Sequence, residues 1–175
     1  MASPNAAPSV PNATPGSVEQ LISDEHFAIR AHLTQVRELA TVFPELDQRA
    51  ASRRAEAVLD FLTSELLPHA AEEEASLYPV IDRLVGAGAT RTMALDHEAI
   101  ASIIAQLGVA TNGDVGPSAR VEVQRLLFVL EALLTTHLWK EDTAYVPLLA
   151  RLDFHAYTAL HAEVAGHTAH RGHGH

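Results

Sequence analysis

Two similar stretches decide the fold, HAAEEEASLYP at residues 69–79 and HLWKEDTAYVP at residues 137–147. In both, a glutamate follows a histidine after four residues, a second acid comes next, and a proline stands ten residues after the histidine. Residues four apart lie on one face of an α-helix, about a turn from each other. Each stretch therefore predicts a helix that presents an imidazole and a carboxylate side by side.

A second pair of similar segments lies outside these stretches. Residues 25–29 read EHFAI and residues 96–100 read DHEAI, so that His26 and His97 stand 71 residues apart. The two histidine-glutamate stretches are 68 residues apart. The chain thus contains two helical hairpins of similar design.

Apolar residues recur at steps of three and four in four segments, which is typical of amphipathic helices, and strand signals are almost absent. The first helix begins at Ser17, in a capping box with Glu19 and Gln20, and ends before Pro44. The second covers about residues 47–84, with a kink or a division at Pro68. The third follows the glycines of residues 86–88, and the fourth begins at Pro117.

We therefore predict an all-α fold, an up-down-up-down four-helix bundle with a short extra C-terminal helix capped by Asp153. The predicted organisation is a disordered lead-in at residues 1–17, a bundle domain at residues 18–165 and a disordered tail rich in histidine and glycine at residues 166–175. With 175 residues, the chain has the size of one domain.

Composition excludes several functions. The net charge is −10, without a basic cluster, which argues against nucleic acid or an anionic membrane as a partner. There is no cysteine, so thiolate metal sites and disulfides are excluded. No apolar run approaches the roughly 20 residues that span a bilayer, and residues 1–17 lack the features of a secretory signal. We expect a cytoplasmic protein of undetermined oligomeric state.

Six ionisable residues interrupt the apolar stripes of the four helices, without a lysine or arginine on the same faces to neutralise them. They are His26, His69, Glu73, His97, His137 and Glu141. A buried carboxylate without a partner costs several kcal/mol, and a metal centre provides the partner. Imidazole and carboxylate ligands suit iron, manganese or zinc. The alternative is a set of hydrogen-bonded core histidines, which is the commoner explanation for any one of them alone.

Other polar residues receive weaker assignments. His32 lies off the first stripe and is expected in solvent. Glu72, Glu74 and Asp142 flank the proposed ligands and are expected to be surface charges, with a supporting role at the site as the alternative. Tyr78 and Tyr145 are expected to pack in the core or to donate a hydrogen bond near the site. The remaining histidines, mostly near the C-terminus, have no assigned chemistry.

Over about residues 18–152 the chain resembles the hemerythrin-like, or HHE cation-binding, family. The resemblance rests on DEH ending at His26, HAAEE and LYP in residues 69–79, LDH ending at His97, and HLWKED and YVP in residues 137–147. It implies a four-helix bundle around two iron ions, bridged by an oxo or hydroxo group and by Glu73 and Glu141. The six residues on the stripes would be the ligands, with zinc or manganese as alternative metals.

One departure bears on reactivity. Oxygen-carrying hemerythrins have a second histidine four residues after that of the third helix, where this chain has Ala101. Two six-coordinate ions offer about 12 positions, of which roughly two then stay open. The resemblance therefore implies reaction with hydrogen peroxide, nitric oxide or dioxygen, as a peroxidase, a catalase-like enzyme or a nitric oxide-processing enzyme. The alternative is a module that senses iron and oxygen, or binds dioxygen, without turnover.

Overall fold

The computed structural model describes residues 16–113 and 116–171, with side chains through residue 166. Most of the predicted lead-in, residues 1–15, and residues 172–175 of the predicted tail lie outside the described residues. In the described part, the chain consists of helices joined by short turns and contains no strand. The prediction of an all-α bundle is confirmed.

Four long helical runs form the bundle. The first is α1, Val18–Val42, followed by a 3₁₀ turn at Phe43–Glu45. The second bundle helix consists of α2 (Gln48–Phe61), a π segment (Leu62–Leu66), α3 (Leu67–Glu72), a π segment (Glu73–Leu77) and α4 (Tyr78–Val85). The third is α5, Arg91–Thr111. The fourth consists of α6 (Pro117–Lys140), a π segment (Glu141–Tyr145) and a 3₁₀ helix (Val146–Arg151).

Short side-chain caps fix where the helices begin. Ser17 Oγ accepts a hydrogen bond from the backbone N–H of Gln20 at 3.2 Å, as the capping box predicts. Asp47 and Asp153 accept the equivalent bonds at 2.8 and 2.9 Å, at the starts of α2 and of the extra C-terminal helix. The predicted first, second and extra helices therefore start at the expected residues.

The prolines inside the helices follow π segments. Proline has no N–H to donate, and its ring clashes with the carbonyl four residues earlier in an α-helix. Before Pro68, the N–H of Leu67 donates instead to the carbonyl of Leu62, five residues back. The wider turn lets the helix continue, and the same arrangement precedes Pro79 and Pro147. The interruption expected at Pro68 thus takes the form of a π segment.

The apolar side chains of the bundle form two separate clusters. In the bundle, α1 and α5 pack along α6, and α2 packs against α5. The larger cluster includes Leu33, Phe43, Leu62, Leu107 and Leu130, together with further residues of all four bundle helices. The smaller cluster includes Val18, Leu77, Met93, Leu149 and Val164.

The extra C-terminal helix, α7, runs over Phe154–Arg171 and packs against α1. It therefore continues beyond residue 166, where the disordered tail was predicted to begin. Its Leu160 and Val164 are buried in the smaller cluster. The hydroxyl of Tyr157 accepts a hydrogen bond from the N–H of Val18 at 3.0 Å, which ties α7 to the start of the bundle. No helix among the described residues is long and apolar enough to cross a membrane.

Removal of a side chain from the larger cluster should weaken the bundle measurably. Leu130 is fully buried, so Leu130→Ala should lower the free energy of unfolding by about 2–5 kcal/mol, through lost burial and the cavity left behind. Val109 is 79% exposed, and Val109→Ala should change the free energy of unfolding by less than about 0.5 kcal/mol. Urea denaturation followed by circular dichroism measures both, and equal effects would contradict the described core.

Candidate metal centre

The six residues that interrupt the stripes form a polar layer between the two apolar clusters. On α1, His26 lies between Ile22 of the smaller cluster and Ile29 of the larger one. On α5, His97 lies between the clusters in the same way. All six side chains are buried, with exposed fractions between 0 and 7%. The members of this layer are His26, His69, Glu73, His97, His137 and Glu141.

Within the layer, donor atoms converge in two groups. One consists of His26, His69 and Glu73, and the other of Glu73, His97, His137 and Glu141. In each group one donor atom of every residue lies within 4.8 Å of the others. Since Glu73 belongs to both, the geometry is that of two adjacent binding positions with a shared carboxylate.

The two glutamates reach both groups. Glu73 Oε1 lies 3.4 Å from His26 Nε2 and 3.1 Å from His69 Nε2, while its Oε2 lies 3.4 Å from His97 Nε2. Glu141 Oε2 lies 3.5 Å from the Nε2 atoms of both His26 and His137. Each glutamate thus faces histidines of both groups, as a bridging carboxylate would.

All four imidazoles have the same orientation, with Nε2 towards the centre and Nδ1 towards an outer carboxylate. His26 Nδ1 donates to Asp142 at 2.7 Å. His97 Nδ1 donates to Glu74 at 2.8 Å. His137 Nδ1 lies 3.3 Å from Asp96, and His69 Nδ1 lies 3.5 Å from Glu25. A hydrogen bond at Nδ1 leaves the lone pair on Nε2, the nitrogen that can bind a metal.

Sequence reasoning missed most of this outer set. The expectation that Asp142 is a surface charge is wrong, because it is buried against His26. Glu74 is exposed as expected, yet it contacts His97. Each outer carboxylate stands next in sequence to a residue of the polar layer but supports a histidine of a different helix. An acid stands next to four of the six proposed ligands, namely His26, Glu73, His97 and Glu141, and this is the signal that could have found the outer set.

The two tyrosines have different roles. Tyr78 donates a hydrogen bond to Glu141 Oε1 at 2.6 Å, and its hydroxyl lies 3.2 Å from His97 Nε2. Tyr145 donates to the carbonyl of Ala89 at 3.1 Å, on the surface of the smaller cluster. Only Tyr78 of these two therefore belongs to the site.

His32 and Ala101 both lie outside the polar layer. The ring of His32 is half-buried and stacks on Phe61, with ring centroids 4.0 Å apart. Ala101 is exposed on α5, while its neighbour Ile100 is buried. Ile100 and Leu134 help to line a cavity of about 10 Å³ beside His97 and His137. That volume is about what one water-sized molecule needs.

The buried charges shift the protonation equilibria of the metal-free chain. Burial lowers the pKa values of His26 and His69, but the facing carboxylates outweigh it and raise them to about 9 and about 10. Burial lowers the pKa of His137 to about 4. Burial and the charge of Glu73 raise the pKa of Glu141 to about 8. Burial also disfavours the charge on Glu73, but the charge of His69 and the hydrogen bond from His26 hold its pKa well below the ordinary value.

Three buried polar atoms of the layer lack a hydrogen bond within the described part of the chain. They are His69 Nε2, Glu73 Oε2 and Glu141 Oε2. Native proteins seldom leave such atoms unsatisfied, and these three belong to residues of the two donor groups. Lone pairs of imidazole nitrogen and carboxylate oxygen suit iron, manganese and zinc. The residues present therefore fit a metal site.

A helical bundle with buried histidines and shared carboxylates defines a class of proteins that bind metal ions between their helices. The family model of the Hemerythrin HHE cation binding domain matches residues 17–149. The chain therefore belongs to the hemerythrin HHE cation-binding family, and the resemblance inferred from the sequence is confirmed. No curated protein and no solved structure matches the chain significantly.

Loss of the shared carboxylate should affect both donor groups at once. Glu73→Gln keeps the shape but removes the charge and one oxygen donor, so metal affinity should fall by more than about 100-fold. The metal-dependent rise in melting temperature should disappear with it. His32→Ala is the control, because His32 contacts Phe61 and not the polar layer. Metal analysis and thermal melting measure both variants, and full metal content in Glu73→Gln would contradict the shared role.

Metal binding should release protons at pH 7. In the metal-free chain, His26 and His69 have pKa values above 7 and Glu141 has one of about 8, so all three carry protons there. Ligands must lose their protons before they bind. Affinity should therefore rise with pH up to about 10, the highest of these three pKa values. A pH indicator in weakly buffered solution measures the release on addition of metal, and a pH-independent affinity would contradict the assignment.

Proposed function

We propose that the protein is a non-haem di-iron protein that reacts with small oxidants, namely hydrogen peroxide, nitric oxide or dioxygen. The observation that carries the proposal is the polar layer itself. Two groups of buried nitrogen and oxygen donors share Glu73, and they lie inside a bundle of the hemerythrin HHE family. Two adjacent ions with a common carboxylate account for both groups.

Charge supports ions at this position. Besides Glu73 and Glu141, four outer carboxylates contact the histidines, and among the described ion pairs two cationic side chains offset them. Arg30 pairs with Asp142, and Lys140 pairs with Asp96. In the metal-free chain, protons on His26, His69 and Glu141 offset most of the negative charge that remains. Bound cations would replace these protons as compensation for the buried carboxylates.

Bound iron would supply electron transfer and open coordination positions for a small oxidant. The six residues of the polar layer would hold the ions, Glu73 and Glu141 spanning both positions. The outer carboxylates would keep each imidazole in the orientation that presents Nε2 to the centre. These separate roles of the inner residues and the outer carboxylates follow from the contacts of Nδ1 and Nε2 described above.

Tyr78 would supply the nearest O–H group to a bound oxidant. Burial and the charges of Glu73 and Glu141 raise its pKa, so the hydroxyl keeps its proton. From its position beside His97 and Glu141, that hydroxyl can donate a hydrogen bond inside the centre. Ile100 and Leu134 exclude bulk water from the cavity beside His97 and His137 and leave room for a small neutral molecule.

The decisive experiment is an absorption spectrum with metal quantification. A variant with glutamine at the four histidines of residues 167–175 removes adventitious metal binding outside the bundle. When loaded with iron without oxygen, it should hold about two irons per chain, and its spectrum should change on addition of peroxide, nitric oxide or dioxygen. Tyr78→Phe should retain the iron and change the rate of that response.

Three results would decide against parts of the proposal. A single zinc ion or no metal would contradict the di-iron centre. An iron-loaded protein that gives no spectral or turnover response to any of the three oxidants would contradict oxidant handling. A reversible spectral change without turnover would support a binding or sensing module.

A further inference from the structure

A narrow cavity of about 20 Å³ connects the polar layer to the surface on the side of the smaller apolar cluster. Its lining includes the carboxylates of Glu25 and Glu72, the side chains of Ile22 and Val164, and His69 and Glu73 from the polar layer. We call this cavity the acidic passage. Its volume is enough for a water molecule or a small ion.

The carboxylates mark the route from solvent to the centre. Glu25 and Glu72 are half-buried, whereas His69 and Glu73 are buried, with exposed fractions of 4 and 6%. His69 Nε2 and Glu73 Oε2 carry no hydrogen bond in the described structure. A ligand at the inner end of the passage thus meets donor atoms that lack a partner.

The cavity on the side of the larger cluster has a different lining. Besides His69, His97 and His137, it is lined by leucine, isoleucine and alanine side chains and contains no carboxylate. A divalent cation loses hydration there without gaining an opposite charge, which is unfavourable in an apolar environment. The acidic passage offers oxygen ligands that replace water as a hard cation is dehydrated.

From these contrasts, we propose that divalent metal ions load into the centre through the acidic passage, with Glu72 as the residue that attracts them at its outer end. The inference rests on the proposed metal-binding function. Surface carboxylates beside a low-dielectric opening raise the local cation concentration and the rate of association by 10-fold to 1,000-fold. Glu72 is not among the six residues proposed to hold the ions, so it should govern the rate of loading and not the final content.

The test measures the rate of Fe²⁺ uptake by the metal-free, full-length protein without oxygen at low ionic strength. Glu72→Gln removes the charge and Glu72→Lys reverses it. The matched controls are Glu56→Gln and Glu56→Lys, because Glu56 is an exposed glutamate of the same bundle helix that lies outside the passage. Stopped-flow competition with a coloured chelator follows the uptake, and metal analysis gives the final content.

Glu72→Lys should slow uptake by about 10-fold or more, and Glu72→Gln by less, while the final iron content stays unchanged. About 1 M salt should abolish the difference, since it screens exposed charges beyond roughly 3 Å. Unchanged uptake rates in both Glu72 variants, or equal slowing in the Glu56 variants, would contradict loading through the acidic passage. Either result would leave the proposed metal-binding function standing. If the unsubstituted protein takes up no iron, both the passage and the proposed function fail.

Discussion

Hydrogen bonds and close contacts between histidine Nδ1 atoms and outer carboxylates join all four bundle helices at one level. The histidine of α1 contacts a carboxylate of the fourth bundle helix, whose own histidine lies beside a carboxylate of α5. The histidine of α5 contacts the second bundle helix, and the histidine of that helix lies beside α1. These contacts form a closed ring, so a displacement of one helix disturbs the orientation of its own imidazole and of the imidazole on one other helix.

The ring also explains the internal repetition of the sequence. Glu25 and Asp96 occupy equivalent places in the two halves, and so do Glu74 and Asp142. Each half supplies two histidines, one inner glutamate and two outer carboxylates, and each half completes the contacts of the other. Glu73 and Glu141 nevertheless differ, because Tyr78 donates a hydrogen bond to Glu141 and the second half has a valine at the matching position.

Periodicity was enough to predict the four helices and to bring six distant residues to one level, since burial of an apolar stripe fixes which face of each helix points inwards. It did not find the outer carboxylates. A residue next to a proposed ligand points about 100° away on an isolated helix, and only the packed bundle shows that a neighbouring imidazole lies there. The π segments starting at Glu73 and Glu141 were also missed, because they depend on backbone hydrogen bonds that periodicity does not encode.

The division of the apolar core into two clusters has a consequence for the exchange of ions. The smaller cluster has fewer buried apolar residues than the larger one, and it draws on both ends of the described chain, through Val18 and Val164. Such regions open at a lower free energy than the rest of a domain. Local unfolding of that end would uncover His69 and Glu73 while the larger cluster remained folded. Such an opening would give a bound ion a second exit besides the acidic passage, and release by either route would leave the larger cluster folded.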